Sequence, residues 1–436
     1  MLFQNPAHVR WACVVFLGSI TIGMGSALYA AELPVQPQEV DTLISAVLVR
    51  NPNLAAQQFR ASSRQELVAS AGALDDPRVN YAIAPGSIGD SIPSKFGDAL
   101  RVRQNIQLSQ TIPWPGKLDL RTERMAADAE AARHNVVVTR VELVAEARSA
   151  WAQWWYIHAA LEINLELQQL VAEQIEVTET RYANGIGLQQ DLVNIQSFAV
   201  RLQHQHLVLE QQQRRLQTHL NYLLDQPAPT PLLPPAPELT MPTLPPMAQL
   251  EDWLLQTQPE LLELQAQSQV ARLNQRLTEK EDYPDMQFSV GYNELWNEAP
   301  LRLQVGVSVN IPLDFGKRAA RKSAAELEFH SARMAIASKR SELLAALESQ
   351  ISVYDQAMHG VQLIETQLLP STRQLVDASL ANYEGGGGRF TDVVDAQEQL
   401  LDTRLLLLTN YADQFTALAE IDKLTGGQLW SSGEQQ

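Results

Sequence analysis

Apolar and polar residues alternate in two stretches of the second half of the chain. Residues 286–293 carry an apolar side chain at every second position, and residues 301–311 do so again. The first half repeats the pattern less cleanly over residues 79–83 and 100–112. A period of two predicts β-strands with one apolar face. Strands of about ten residues suit a membrane barrel or a half-buried soluble sheet, and four strands close a membrane barrel only if several chains contribute.

Helical periodicity occupies most of the remaining chain. Residues 38–75 and 247–282 are rich in Ala, Leu, Gln and Glu, which predicts helices leading into each strand pair. In residues 118–181 and 317–382 the apolar positions recur at three-four spacing, as they do in coiled coils. Each of these runs would form a helix of about 95 to 100 Å.

The two halves of the chain repeat the same order of elements, about two hundred positions apart. The correspondence is clearest at two turns, where a tyrosine, a glycine and an aspartate keep their spacing: Tyr182, Gly185 and Asp191 in the first, Tyr383, Gly386 and Asp392 in the second. A repeated unit of this size indicates an architecture rather than a single site.

The repeat predicts the domain organisation. We expect a signal peptide (1–30), a first repeat (31–225, strand pair about 78–112), a proline-rich connector (226–246), a second repeat (247–428, strand pair about 285–312) and a C-terminal tail (429–436).

Composition and the N-terminal residues limit the function. Arg10 precedes an apolar run over residues 11–22, and small residues follow it up to Ala31, which is typical of a secretory signal. Cys13 is the only cysteine and lies inside that run, so the mature chain would have no disulfide or thiolate site. The formal net charge of -17 argues against nucleic acid as a partner.

These features together resemble the TolC-like outer-membrane efflux proteins over essentially the whole mature chain. The junction Gln110-Thr111-Ile112-Pro113-Trp114-Pro115-Gly116-Lys117 looks like that of the heavy-metal branch, which handles cobalt, zinc and cadmium or copper and silver. The resemblance implies a mainly α fold with a membrane β-barrel: a duplicated helix-strand-strand-long helix-helix unit, forming a homotrimer with a twelve-stranded outer-membrane barrel and a periplasmic coiled-coil tube.

The same resemblance implies a place in a larger assembly. The tube would meet a periplasmic adaptor (membrane fusion) protein and an inner-membrane pump of the RND type, and outer-membrane lipid of a Gram-negative bacterium would surround the barrel. The protein would then be an exit duct, without enzymatic activity or a cofactor, that passes substrates such as heavy-metal cations. A duct for drug efflux or type I protein secretion is the alternative within this class, and a secreted coiled-coil scaffold is the alternative outside it.

Two acidic residues are the candidates for a pore constriction. Asp392 and Asp395 lie three apart at the start of a predicted helix and so share one face. By resemblance to the family they would project into the pore, where three chains would bring six carboxylates together and attract cations. Alternatively, acids in a first turn cap free amides and offset the helix dipole. Capping is the interpretation we favour for Asp191, because Asn194 stands where a second acid would be.

Residues at the two turns resemble the hairpin-closing and tip residues of the family, in which Arg181, Tyr182 and Tyr383 would hold neighbouring hairpins closed. They are Arg181, Tyr182, Gly185 and Asp191 in the first turn, and Tyr383, Gly386 and Arg389 in the second. Simple packing is the alternative for a tyrosine near a helix end. The glycine run from Gly385 to Gly388 would present bare backbone to an adaptor.

A third set of residues marks the change from strand to helix. Pro113, Trp114, Pro115 and Gly116 would end the strand ladder and turn the chain inward, and Gly316 would do so in the second half. Trp114 suits an interfacial aromatic belt or a buried junction. The histidines lack partners at metal-ligand spacing, so we expect no bound metal.

Overall fold

The computed structural model describes residues 39–84, 103–293, 302–311 and 313–433. The expected signal peptide, the segments 85–102 and 294–301 of the expected strand pairs, and Pro312 lie outside the described residues.

The first half of the described chain consists of α1 (Val40–Arg50), α2 (Pro52–Ala71), β1 (Arg78–Ala84), β2 (Arg103–Ile112), α3 (Lys117–Ala183) and α4 (Gln189–Leu223). The second half consists of α5 (Met247–Thr257), α6 (Pro259–Lys280), β3 (Met286–Asn293), β4 (Leu303–Val309), α7 (Phe315–Leu363), a π-helical segment (Ile364–Leu368), α8 (Leu369–Glu384), α9 (Phe390–Leu424) and α10 (Gln428–Gly433). The predicted order of helices and strands is confirmed in both halves.

The helices predicted before each strand pair are broken in two. The break falls at Asn51 in the first half and at Gln258 in the second, each with extended backbone. Each residue precedes a proline, which disfavours helical backbone at the position before it. Asn51 also caps the following helix, since its Oδ1 accepts hydrogen bonds from the amides of Asn53 (3.0 Å) and Leu54 (3.3 Å).

The four strands form one antiparallel sheet in the order β1-β2-β3-β4. The central pair, β2 with β3, joins the two halves of the chain and places Leu108 opposite Val290. Among the described residues, the outer edges of β1 and β4 have no strand partner. One face of the sheet is apolar and open, as shown by Val79 (67% exposed) and Val305 (76%).

Across the described residues, no helix combines the length and the hydropathy that crossing a membrane would require.

The two long helical runs keep a common pattern of buried positions. Buried Leu143, Ala147, Ile157 and Asn164 of α3 match buried Leu343, Leu347, Ala357 and Ile364, two hundred positions later. Beyond that point the match shifts by one, because buried Val171 corresponds to buried Thr372. The second run therefore holds one extra residue, inserted just after Ile364.

The π-helical segment Ile364–Leu368 is the place where this extra residue is accommodated. A π turn holds one more residue than an α turn, so it absorbs an insertion without rotating the helix beyond it. Pro370, two residues after the segment, lacks the amide hydrogen that an α-helical bond would need at that position. In the neighbourhood of the segment, Tyr411 of α9 donates to Glu365 Oε1 at 2.6 Å. Burial and this hydrogen bond raise the pKa of Tyr411 to about 12.

A single deletion tests whether the π turn is an insertion. Removing Glu365 should restore α-helical bonding while leaving buried positions on both sides aligned, as in the first half. Removing Glu162 from the uninterrupted helix α3 should rotate every later buried position by about 100° and disrupt folding. Circular dichroism and chromatographic behaviour in detergent would compare the two. Equal damage from both deletions would contradict the insertion.

A buried ion pair fastens the C-terminal residues to the helices. The guanidinium of Arg148 in α3 pairs with the Asp422 carboxylate in α9, and both side chains are less than a tenth exposed. Asp422 also accepts a hydrogen bond from the amide of Leu429 (2.8 Å), and Arg148 lies 3.7 Å from the ring centroid of Trp430. Burial lowers the pKa of Arg148, while Asp422 opposes that effect. Helix α10 crosses the boundary between the expected second repeat (247–428) and the expected C-terminal tail (429–436).

Removing one member of this pair should be strongly destabilising. Asp422→Ala would leave the buried Arg148 charge unpaired, so we expect a loss of about 3 to 5 kcal/mol in unfolding free energy. Glu420→Ala breaks the half-exposed contact with Lys423 on the same helix and should cost about 0 to 1 kcal/mol. Thermal unfolding of both variants in detergent would measure the difference, and similar melting temperatures would contradict the role given to Asp422.

Candidate functional site

The two turns predicted from the repeat have the same geometry. The Gly185 amide donates to the Tyr182 carbonyl at 2.9 Å, and the Gly386 amide donates to the Tyr383 carbonyl at 3.1 Å. Both glycines have φ of 76°, a left-handed conformation that favours glycine. Each turn thereby closes the C-terminus of one helix and reverses the chain into the next.

Arg181 and Tyr383 bring the two turns together within one chain. The Arg181 guanidinium carbon lies 4.8 Å from the centroid of the Tyr383 ring, at the distance of a cation–π contact. Tyr383 also packs against Phe390 at 5.0 Å between ring centroids. Burial raises the pKa of Tyr383, with Arg181 opposing and Asp191 adding to the increase. Asp191 is itself buried at 8% exposure, and Tyr182 is 44% exposed.

The two acids proposed for a constriction have different surroundings. Asp392 is the third residue of α9, and its carboxylate accepts hydrogen bonds from the Arg389 amide (3.4 Å) and guanidinium (2.8 Å). The hydrogen bonds from Arg389 hold the pKa of Asp392 below its ordinary value. Asp395 lies one turn further along and is exposed. Asp392 therefore has the geometry of a capping residue, whereas Asp395 presents its carboxylate to the surface.

The pairing of Arg389 with Asp392 was missing from the sequence analysis. The residues are three apart across a helix start, and this spacing could have indicated a reciprocal cap. From the sequence alone, Arg389 was expected at the tip without a partner.

The first strand-to-helix junction is fastened by residues from the second half of the chain. Asp285, just before β3, accepts hydrogen bonds from the Trp114 amide (2.9 Å) and from Lys117 Nζ (2.7 Å). Lys117 also donates to the Tyr283 carbonyl (2.8 Å), and the Trp114 and Tyr283 rings stack with centroids 5.2 Å apart. Gly116 makes the bend with φ of 84°. Trp114 is half-buried at this contact.

The prolines of the first strand-to-helix junction differ in burial, and the second junction lacks the left-handed glycine of the first. Pro113 is buried and Pro115 is exposed, on either side of Trp114. Gly316 lies in the first turn of α7 without a positive φ. Helix α7 is capped instead by Asp314, whose Oδ1 accepts a hydrogen bond from the Lys317 amide at 3.0 Å. The two junctions are thus built differently, although both sequences end in Gly-Lys.

The junction ion pair should make stability depend on pH at the acid side. Burial alone would raise the pKa of Asp285, but the hydrogen bonds from Lys117 and Trp114 outweigh it and lower the pKa. A lowered folded-state pKa adds stability above the unfolded value of about 3.9, and this is lost as pH falls through the folded value. We therefore expect Asp285→Asn to lower the melting temperature at pH 7 and the gap to wild type to close towards pH 3. A constant gap would contradict this linkage.

Within the described part of the chain, His, Cys, Asp and Glu form no group of three or more that could hold a metal ion.

Comparisons with known proteins find one family model that matches both halves of the chain. A family model described as "Outer membrane efflux protein" matches residues 43–225 and 251–427, one segment in each half. No curated protein sequence matches the chain.

Three solved structures show the same fold. VceC, an outer membrane protein of Vibrio cholerae, aligns with a TM-score of 0.75 and 17% identity over 89% of this chain and 96% of its own. CusC, described by its transmembrane channel formation, aligns at 0.77 and 17% over 90% and 93%. The MtrE outer membrane channel of Neisseria gonorrhoeae, in its open state, aligns at 0.74 and 16% over 90% of both chains.

Proposed function

The chain belongs to the outer membrane efflux protein family, and from this premise we propose that three copies form the exit duct of a tripartite efflux system for heavy-metal cations. As a member of this family the protein is an outer-membrane efflux channel and not an enzyme. The ion, the constriction and the partners are the parts that we propose.

The open sheet carries this proposal. Its apolar face is exposed, and the outer edges of β1 and β4 have no strand partner among the described residues. In a membrane every backbone group needs an internal partner, so a four-stranded sheet must be closed by further copies. Three copies give a twelve-stranded barrel with lipid against the apolar face, as the family resemblance implies.

Targeting and partners follow from the same picture. We assign residues 1–30 as the signal peptide that directs the chain out of the cytoplasm, and the two repeats as the units that build barrel and tube. The paired turns at Gly185 and Gly386 would form the periplasmic end of the tube. Their left-handed glycines expose backbone to a periplasmic adaptor, which in turn would bind an inner-membrane pump of the RND type.

The choice of heavy-metal cations rests on the junction and the acids. The octapeptide from Gln110 to Lys117 resembles the metal branch of the family. Asp395 is exposed beside the turn, and three copies around one axis would concentrate negative charge there. Because Arg389 already neutralises Asp392, Asp395 supplies most of the attraction for cations. The ion would be passed along the duct and not retained.

Single-channel conductance tests the role of the acids. The wild-type trimer in a planar bilayer should conduct cations preferentially and be blocked by multivalent cations from the periplasmic side. Asp395→Asn and the double change with Asp392→Asn should lose the block. Asp392→Asn alone should keep much of it, because that carboxylate is paired with Arg389.

The outcome that contradicts the constriction is equally specific. If the double variant kept the block and only melted at lower temperature, both acids would be helix-start residues and the pore assignment would be wrong. The exposed acid Glu384, on the other side of the turn, offers a matched control: Glu384→Gln should leave the block unchanged.

Growth assays test the substrate class. A strain lacking the chromosomal copy should become sensitive to divalent metal ions and recover when the wild-type protein is supplied. Sensitivity to drugs without sensitivity to metals would favour the alternative of a drug duct.

A further inference from the structure

Helix α3 has one stripe of residues that is covered within the chain. The stripe consists of Leu120, Arg124, Ala127, Ala131, His134 and Val138, none of which is exposed. Helix α6 covers it, since Glu263 of α6 accepts a hydrogen bond from Asn135 (3.3 Å) and Arg276 of α6 pairs with Glu123 (3.7 Å). Ala131 and Ala266 lie between these two flanking contacts.

The same stripe on α7 is uncovered. Two hundred positions later the residues are Ala320, Ala324, Leu327, Ser331, Met334 and Ser338, and all six are exposed. Leu327 is 65% exposed and Met334 is 62% exposed. The stripe contains no charged residue, which is unusual for a helix surface left in water. A stripe of this composition is typical of a surface that packs against another helix.

The helix that covers the stripe on α3 has a counterpart elsewhere in the same chain. Helix α2 corresponds to α6, because both begin at a proline and their buried positions match: Leu54 with Leu261, and Ala61 with Ser268. On this alignment Phe59 occupies the place of Ala266. Phe59 is 76% exposed, so α2 presents a large apolar side chain where α6 makes its contact with α3.

We propose that α2 of one copy packs on α7 of the next copy as α6 packs on α3, with Phe59 seated over Ser331 between Leu327 and Met334. This inference rests on the trimer of the proposed function and identifies the side chains that hold it. The contact is heterologous, since α2 and α7 are different surfaces, and three such contacts close a ring. Phe59 acts as a knob in a hole formed by the facing helix.

The order of the helices within one copy supports this placement. Helix α6 lies between α3 and α7 within one copy: Glu260 pairs with Lys339 of α7 (2.7 Å) on one side, and Glu263 bonds Asn135 of α3 on the other. Among the described residues, α2 has a corresponding ion pair with α3 alone, between Arg64 and Asp128 (3.3 Å). One flank of α2 and one flank of α7 therefore remain available to each other in successive copies.

Disulfide cross-linking tests the contact in the full-length protein. With Cys13→Ser to remove the natural thiol, one variant carries Phe59→Cys and Ser331→Cys. Because every chain carries both halves of the contact, mild oxidation should convert the monomer band on a non-reducing denaturing gel into covalent trimer. Each single-cysteine variant should stay monomeric.

The repeat offers a matched control. Ala131→Cys with Ala266→Cys places thiols at the equivalent contact inside one chain, so oxidation should consume them while the band stays at monomer mass. If this control links but the Phe59 and Ser331 thiols stay reduced in a protein whose size in detergent is trimeric, the contact is wrong and the trimer stands. A monomer in detergent, a ladder ending at dimer or a link to a different protein would overturn the contact.

A charged residue in place of Phe59 provides a second test of the contact. Phe59→Asp should abolish the trimer peak in size-exclusion chromatography, whereas Phe59→Leu should retain it because the apolar knob remains. A normal trimer with aspartate at this position would also overturn the contact. Metal sensitivity of a host supplied with the wild-type protein tests the cargo independently of this contact, so failure of the proposed function and failure of the contact give different results.

Discussion

The antiparallel pairing of β2 with β3 is the contact on which the described structure depends. It joins two repeats that each leave an apolar strand face uncovered, and it sets the direction in which the helices of both halves run from the sheet. A one-residue slip would turn Leu108 away from Val290 and place polar residues on the apolar face. The Lys117–Asp285 ion pair also joins the two halves, at the place where β2 is followed by α3.

Much of the fold could be predicted from the sequence because each element leaves a periodic pattern of apolar residues. Alternation identified the strands, three-four spacing identified the long helices, and the matching of Tyr182 with Tyr383 identified the turns. The breaks at Asn51 and Gln258 were missed, although Pro52 and Pro259 were visible signals. Asp285, Asp422 and Trp430 were missed for a different reason: each acts through a residue more than a hundred positions away, and no local pattern records such a partner.

The candidate site was harder to predict than the fold, since its chemistry depends on which acid has a neighbour. Sequence spacing treats Asp392 and Asp395 alike, as two residues on one face of a helix. The structure separates them, because the Arg389 guanidinium binds the first and leaves the second exposed. The constriction that we propose therefore has one ring of unpaired acids rather than two.

The repeats also differ where the proposed constriction lies. Leu188 and Asn194 stand in the first half at the places of Arg389 and Asp395, so only the second turn carries the paired and unpaired acid. The π turn after Ile364 is also confined to the second half and lies on the helical run that leads to that turn. A π turn weakens the regular hydrogen bonding of a helix locally. The hairpin that bears the acids is thus joined to the sheet through a less regular helix than its counterpart, while Arg181 and Tyr383 hold the two tips together.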